Sequence, residues 1–357
     1  MKKIKVLIID DSALVRQVLT EMISKRSEFE VIGAPSDPIF AENYMKKEWP
    51  DVIIMDINMP KKDGLTFLKE IMQTRPTPVV ICSSEIEANA RASVEALALG
   101  AVSVISKPKI GIKDFLMESE KILVEAVRSA AATNIKAVKE VKTHSVIIEK
   151  KNSADVIMAP PAGKMNTVIS DKIVVIGASA GGTQALEYLL KELPVNAPPI
   201  AIVQHMPEKF TEAFAKRLND ISTINVLEAK GGEIMTEGYA YIAMGNRHLA
   251  VSYENKSYKL SVIDGPLVSR HKPSVDVLFR SAAKSGSKNI LGVILTGMGD
   301  DGAAGMLEMK NSGCITIAQD KETSAVYGMP KEAFDRGGVS QVLPLYEVPK
   351  AIMNFYR

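Results

Sequence analysis

The sequence predicts an α/β protein with two domains, each built on a mostly parallel sheet. Its 357 residues exceed what one compact domain usually holds. Short runs rich in Val and Ile alternate with longer amphipathic stretches, which is the pattern of strands connected by helices in a parallel sheet. This alternation fades over residues 129–170 and then resumes. We therefore expect a domain over residues 1–128, a linker over 129–170 and a second domain over 171–357.

The strand-like runs follow one another in a regular order along the chain. Those of the first domain are "KVLIID", "DVIIMD", "PVVICSS" and "AVSVISKP". Those of the second are "KIVVIGAS", "PIAIVQHM", "NILGVILTGM" and "GCITIAQD". Residues 231–264 instead alternate aromatic and polar positions between turn signals, which predicts a small antiparallel hairpin inserted in the second domain.

The composition is that of an ordinary soluble globular protein. Hydrophobic residues make up 46% and charged residues 24%, and the formal net charge of +2 predicts no nucleic-acid-binding surface. No apolar run approaches the length of a membrane span, and the one near the start is too short for a signal peptide. We expect a monomeric cytoplasmic protein without direct membrane insertion, in which Cys82 and Cys314 are buried strand thiols.

Acidic side chains close two strands of the first domain. Asp10 and Asp11 follow "KVLII", and Asp56 ends "DVIIMD". The carboxyl ends of parallel strands line one crevice, where three close carboxylates repel one another unless a cation lies among them. Oxygen ligands of this kind suit Mg²⁺. Ser83 and Lys107 end two further strands and bring a hydroxyl and an ammonium to the same crevice.

This set of strand-end residues resembles the receiver domain of two-component response regulators over about residues 1–125. The resemblance implies a flavodoxin-like fold and a phosphoryl group transferred from a histidine kinase to Asp56. It also implies that Mg²⁺ is held by Asp10, Asp11, Asp56 and the backbone of Asn58, and that Ser83 and Lys107 bind the phosphoryl oxygens. The loop "NMPKKDGL", with Pro60 and Gly64, matches as well. Many receivers carry Tyr or Phe shortly before the Lys-Pro pair, whereas Val102, Val104 and Ile105 stand in that region here.

The stretch "GASAG" in the second domain allows two interpretations. It fits G-x-S-x-G, in which a tight strand-to-helix turn exposes a nucleophilic serine, here Ser179. Glycine-rich turns after a strand also bind pyrophosphate in dehydrogenases. Tyr327 and Lys331 even supply a Tyr-x-x-x-Lys pair. Against that second interpretation, Thr183 replaces an expected glycine and Pro330 would interrupt the helix that presents the pair.

A nucleophilic serine needs a base and an orienting acid. Of the four histidines, His144 lies in the linker and His248 in the predicted hairpin. His205 follows a strand and belongs at its carboxyl end near Ser179, and His271 precedes a predicted helix that could border the same cleft. Asp300 and Asp301 follow another strand, and the residues alone do not distinguish between them.

Four motifs of the second domain, "IGASAGG", "QHMP", "HKPSVDVLF" and "LTGMGDDGAAGM", resemble the catalytic domain of chemotaxis protein-glutamate methylesterases. The resemblance implies Ser179 as nucleophile, His205 as general base and Asp301 as orienting acid, with the backbone N–H of Met298 at the oxyanion. It implies a doubly wound sheet different from that of the α/β-hydrolases. Ala180 stands where some relatives carry Thr.

The two resemblances together imply a hydrolase that phosphorylation activates. It would remove methyl esters from glutamate side chains of chemoreceptors without a cofactor for that reaction, and it would deamidate receptor glutamines. The first domain would cover the esterase cleft and be released when Asp56 is phosphorylated. A dinucleotide-dependent oxidoreductase and a signalling scaffold whose second domain only binds are the alternatives.

Overall fold

The computed structural model describes residues 3–59, 63–84, 87–108, 113–135, 170–285 and 288–357. Pro60, His144 and most of the predicted linker lie outside these ranges. Of the described part of the chain, no helix combines the length and the apolar character needed to cross a membrane. The domain boundaries remain predictions.

The first sheet has five parallel strands in the order β2-β1-β3-β4-β5, which is the flavodoxin-like order. The predicted fold is therefore confirmed. The strands are β1 (Ile4–Ile9), β2 (Phe29–Gly33), β3 (Val52–Met55), β4 (Val79–Ser83) and β5 (Ser103–Ser106). The helices are α1 (Ala13–Ser24), α2 (Pro38–Lys47), α3 (Gly64–Thr74), α4 (Glu87–Leu99) and α5 (Lys113–Ala131).

The central strands of this sheet are buried on both faces, as their unbroken apolar sequences predict. Cys82 lies in β4 as a buried free thiol, as predicted. The helices begin at polar caps, since Ser12 accepts a hydrogen bond from the N–H of Val15 at the start of α1. Asp37 caps α2 in the same way.

The second sheet has seven strands in the order β14-β13-β12-β6-β7-β9-β8, and all its neighbours pair in parallel. The strands are β6 (Ile173–Ala178), β7 (Ile200–Gln204), β8 (Asn225–Glu228), β9 (Tyr239–Ile242), β12 (Ile290–Ile294), β13 (Ile315–Gln319) and β14 (Gln341–Leu343). The helices are α6 (Gly182–Lys191), α7 (Phe210–Ile221), α8 (Val275–Ser285), α9 (Ala303–Asn311), α10 (Met329–Asp335) and α11 (Val348–Tyr356), with a short 3-10 helix over Leu345–Glu347.

The predicted hairpin forms from β10 (His248–Glu254) and β11 (Ser257–Ile263), which pair in an antiparallel ladder. The turn between them, Asn255-Lys256, has φ values of 51° and 61°, as a type I′ turn requires. The predicted span of the insert, residues 231–264, was too long, because it includes β9. That strand pairs with β7 and β8 in the main sheet.

The two sheets pack against each other through α4, α6 and α7. One buried apolar cluster contains residues of both, among them Leu97 of α4 and Leu186 of α6. The Gln184 amide is 6% exposed, and its Nε2 donates to the carbonyl oxygens of Leu97 (2.6 Å) and Ala101 (2.9 Å) in the first domain. The first domain is thereby fixed over the carboxyl ends of β6 and β7.

Candidate phosphoacceptor and hydrolase sites

The predicted acidic cluster forms at the carboxyl ends of β1 and β3. Ligand oxygens of Asp10, Asp11 and Asp56 lie within 4.8 Å of one another. Lys107 Nζ lies 2.7 Å from Asp10 Oδ2 and 2.8 Å from Asp56 Oδ2, so one ammonium bridges two carboxylates. The Ser83 hydroxyl is fully buried beside them at the end of β4, with no hydrogen-bond partner among the described residues.

The electrostatics of this cluster favour an added cation. Burial raises the pKa of Asp10, against the lowering effect of Lys107. Burial alone would lower the pKa of Lys107, but its hydrogen bonds to Asp10 and Asp56 outweigh that and hold the pKa above its usual value. The three convergent carboxylates supply the oxygen ligands that Mg²⁺ prefers, and the single ammonium of Lys107 does not balance their charge. The side chain of Asn58 turns instead to Asn89 of α4.

Ser179 stands in a tight turn between β6 and α6. Its N–H donates to the carbonyl oxygen of Thr296 (3.0 Å), and its carbonyl accepts from the Gln204 amide (2.9 Å), so both sides of the turn are held by neighbouring strand ends. Gly181 has φ +73°, which disfavours other residues. A Cβ on Gly177 would lie 2.2 Å from Val275 Cγ1. The glycines of G-x-S-x-G are therefore required by the turn and by the approach of α8.

His205 follows β7 and contacts the acid that follows β12. Its Nε2 lies 2.8 Å from Asp301 Oδ2. Asp301 is 1% exposed and also accepts from the hydroxyl of Ser274 and the N–H groups of Val275 and Asp276, all at 2.8 to 2.9 Å. Burial would raise the pKa of Asp301, but these bonds, that of His205 foremost, lower it below its usual value. Because the carboxylate only accepts, Nε2 must carry the proton.

The other nitrogen of His205, Nδ1, is buried and has no hydrogen-bond partner in the part of the chain that the structure describes. His205 and Ser179 line the same cleft, so Nδ1 is the ring nitrogen available to take a proton there. The structure thus bonds His205 to Asp301 and places Ser179 in the lining of the same cleft, without a hydrogen bond between Ser179 Oγ and His205 Nδ1.

His271 lies on the face of His205 rather than in line with it. The two rings stack with centroids 3.7 Å apart and an interplanar angle of 5°. His271 Nδ1 lies 2.7 Å from the carbonyl oxygen of Ser269, so Nδ1 carries the proton. Burial, and then the neighbouring ring of His205, lower the pKa of His271 to about 3. It therefore packs as a neutral ring against the catalytic candidate.

The two adjacent acids, which the sequence did not distinguish, point to different partners. Asp300 is bound by the guanidinium groups of Arg270 (2.9 Å) and Arg336 (2.7 Å) at the mouth of the cleft, while Asp301 faces His205. Met298 also lines the cleft, in the loop between Gly297 and Gly299.

Sequence reasoning missed several residues that hold the site. Ser274, Gln204 and Thr296 bond to Asp301 or to the Ser179 turn. They lie in the same motifs as the recognised residues, but a buried Ser, Gln or Thr carries no signal of its role until its partner is known. His248, which was assigned only to the hairpin, bonds to the N–H of Ser274 through Nδ1.

The dehydrogenase interpretation has no geometric support. α10 begins at Met329 with Pro330 in its first turn, so Tyr327 precedes the helix and Lys331 pairs instead with Asp335. The tyrosine and lysine are not presented together from one helix.

The first domain covers the cleft that contains Ser179. A cavity of about 390 Å³ lies between the domains and is lined from one side by Val102 and Leu123 and from the other by Ser179 and His205. The carbonyl oxygen of Val102 accepts a hydrogen bond from the N–H of Gly181 at 3.3 Å, within the nucleophile turn itself. The first domain therefore restricts access to the turn that carries Ser179.

The fold and the two sites are those of a hydrolase coupled to a response regulator receiver. Residues 174–352 match the family model of the CheB methylesterase, and residues 6–116 match that of the response regulator receiver domain. The chain belongs to the CheB methylesterase family.

Its relatives are similar over nearly the whole chain. A protein-glutamate methylesterase/protein-glutamine glutaminase of Chromobacterium violaceum is 53% identical over 98% of this chain and 99% of its own. One from Photobacterium profundum is 50% identical over 98% and 99%. Among solved structures, the CheB methylesterase catalytic domain of Thermotoga maritima is 40% identical, covers 52% of this chain and 99% of that chain, and has a TM-score of 0.51.

Proposed function

We propose that this protein is a protein-glutamate methylesterase and protein-glutamine glutaminase of the cytoplasm, which acts on chemoreceptors and is activated by phosphorylation. One observation carries the hydrolase assignment: His205 is bonded to Asp301 through Nε2 and keeps Nδ1 free in the cleft that contains Ser179. The names of the relatives support the substrate, a glutamate methyl ester or a glutamine amide on a protein.

The reaction follows from the tautomer of His205. Ser179 Oγ attacks the ester carbonyl while Nδ1 takes its proton, and Asp301 stabilises the imidazolium through Nε2–H. His205 then returns the proton to the departing methoxide, and methanol leaves. Water, deprotonated by the same nitrogen, then attacks the acyl-Ser179 ester, and His205 returns the proton to Ser179 Oγ as the C–Oγ bond breaks and the glutamate carboxylate is released. With a glutamine the leaving group is ammonia, so the same residues deamidate.

The oxyanion of each tetrahedral intermediate forms beside the start of α6. In this proposal the backbone N–H of Met298 donates to it, and the N-terminal end of α6 adds a favourable dipole. Thr296 supports this arrangement because its hydroxyl donates to the carbonyl oxygen of Ala180 at 2.9 Å, next to the nucleophile.

Regulation is assigned to the acidic cluster. A histidine kinase would supply the phosphoryl group to Asp56, with Ser83 and Lys107 binding its oxygens. Mg²⁺ on Asp10, Asp11, Asp56 and the backbone of Asn58 would neutralise the charge that develops during transfer. Lys107 Nζ, which pairs with both Asp10 and Asp56 here, would then form its ion pair with the phosphoryl group instead. The domain limits are those predicted: 1–128, 129–170 and 171–357.

Methanol release from methylated receptor membranes tests the function, with and without acetyl phosphate and Mg²⁺. We expect Ser179→Ala to lower the rate by about 10⁶-fold, because removing the nucleophile of a triad leaves only residual electrostatic catalysis. Phosphorylation of Asp56 should be unchanged in this variant and serves as the control for folding. Methanol release near the wild-type rate would refute the triad.

A further inference from the structure

The loop before α8 ends in a turn that is unfavourable for its residues. Val268 and His271 exchange two backbone hydrogen bonds, and Ser269 and Arg270 between them have φ values of 49° and 69°. A type I′ turn of this kind favours Asn-Gly, because both positions need the left-handed region. The Ser269 hydroxyl anchors the turn to Asp276 at 2.8 Å. An arginine at the second position thus has a backbone cost that a glycine would avoid.

The side chain of Arg270 faces the hydrolase cleft. It lines the same cavity as Ser179, and 65% of the side chain is exposed. Its Nη2 donates to Asp300 Oδ1, but Asp300 is shared, since Arg336 donates to Oδ2. Arg336 also lies 3.9 Å from Glu332, whereas the shared Asp300 is the one carboxylate within ion-pair distance of Arg270 among the described residues.

The first domain already places a carboxylate there. A Cβ on Gly299 would lie 3.7 Å from Oε1 of Glu125, in α5, and 3.8 Å from Nη2 of Arg270. Glu125 lines the cavity as well. In the closed arrangement an acidic side chain of the covering domain therefore lies near the same side of Gly299 as the guanidinium, without an ion pair between the two among the described residues.

We propose that Arg270 is a specificity-determining residue that binds an acidic side chain of the substrate, close in the chain to the glutamate ester or glutamine being hydrolysed. The inference rests on the proposed function. Glu125 lies near this position in the closed protein, and the substrate's carboxylate binds the guanidinium after the domains separate. An acidic polypeptide segment is the substrate class that this charge arrangement fits.

The test uses two blocked helical peptides with one central glutamate γ-methyl ester. One carries glutamates a turn away on either side, and the other carries glutamines there. The full chain is assayed with acetyl phosphate and Mg²⁺ at low salt, and kcat/KM is compared between the peptides. We expect the wild type to prefer the acidic peptide about fivefold, in the range of one partly exposed ion pair, and to lose the preference as salt rises.

R270Q should bring the ratio to about one, and R270E should reverse it. R247Q is the matched control: Arg247 also shares a carboxylate, Asp264, with a second cation, Lys272, and should keep the wild-type ratio. An equal loss on both peptides in R270Q would reduce Arg270 to a structural role and overturn the proposal. Equal wild-type rates on both peptides would overturn it too, whereas hydrolysis of neither peptide would overturn the proposed function itself.

Discussion

His205 is constrained from two directions, by Asp301 at one edge and by the ring of His271 on one face. The carboxylate determines which nitrogen carries the proton, and the stacked ring keeps the imidazole from rotating out of the cleft. The two histidines thus have different tasks although both border Ser179. In the proposed mechanism one transfers protons through Nδ1, and the other is a neutral packing surface.

This division predicts unequal effects of replacing the two rings. His205→Ala should match Ser179→Ala in its loss of methanol release, about 10⁶-fold, since both remove a group that bonds to the moving proton. His271→Ala should cost only about tenfold, in the range of one lost aromatic contact. Initial rates of methanol release measure both. If His271→Ala were the inactive variant, the base would be misassigned.

The buried position of His271 predicts that it stays neutral. With its pKa lowered to about 3, the ring should remain the Nδ1–H tautomer from pH 8 to pH 4. Between the unfolded pKa of ~6.5 and the folded value, only the unfolded chain gains this proton, so stability falls as the pH is lowered through that window. Long-range ¹H–¹⁵N spectra of the histidine rings, assigned with His271→Asn, measure it. A ring titrating near pH 6.5 would contradict this prediction.

At the scale of elements, the site depends on the hairpin that the sequence predicted only as an insert. His248 begins β10 and is 4% exposed, and its Nε2 lies 2.9 Å from the carbonyl oxygen of Pro266. Its Nδ1 accepts from the N–H of Ser274 at 3.2 Å, next to the residues that bind Asp301. One buried imidazole therefore joins both ends of the loop that carries Arg270 and His271.

Two substitutions of His248 test its two hydrogen bonds, to Ser274 and to Pro266, one at a time. His248→Asn keeps an acceptor near the position of Nδ1, and His248→Gln keeps a donor near that of Nε2. We expect His248→Gln to lower kcat/KM about tenfold more than His248→Asn, because it leaves the Ser274 N–H unpaired beside Asp301, at a cost of roughly 1–3 kcal/mol. Equal losses in the two variants would show that His248 only supports the hairpin.

At the scale of the whole molecule, hydrogen bonds hold the first domain over the cleft that contains Ser179. Gln184 contributes two buried hydrogen bonds to that contact, and Val102 adds its bond to Gly181. The contact surface includes α4 and β5, and β5 ends one residue before Lys107 of the acidic cluster. The end of β5 that leads to Lys107 thus also lines the cavity that contains Ser179.

Weakening this contact should activate the protein without phosphorylation. Gln184→Ala removes both bonds, each worth about 1 kcal/mol, and should raise unphosphorylated methanol release by roughly 5- to 30-fold. It should also reduce the further gain on adding acetyl phosphate. In a fragment over residues 170–357 the substitution should have no effect, and a relative's catalytic domain that is 40% identical has been solved alone. An unchanged rate in the full chain would exclude Gln184 from the control of closure.

The strands that the sequence predicted are the interior ones, together with β5, because strands covered on both faces are nearly continuous apolar runs. Three of the missed strands, β2, β8 and β14, lie at sheet edges, where one side is exposed and the apolar signal is broken. The fourth, β9, resembles the neighbouring hairpin in its alternation. What distinguishes β9 from the hairpin strands is its pairing and burial within the main sheet, which the local sequence does not encode.

The sequence by itself determined the chemistry available, since a parallel sheet brings polar residues that follow its strands to one edge. Ser179, His205 and the Asp300-Asp301 pair were found in this way. Only the tertiary structure decided which aspartate faces the imidazole, which of its nitrogens is free and that His271 stacks on it. Those choices depend on the directions of side chains in loops that are far apart in the sequence. His205 and Asp301, for example, are separated by 96 residues, and the packing of the folded chain sets how their side chains meet.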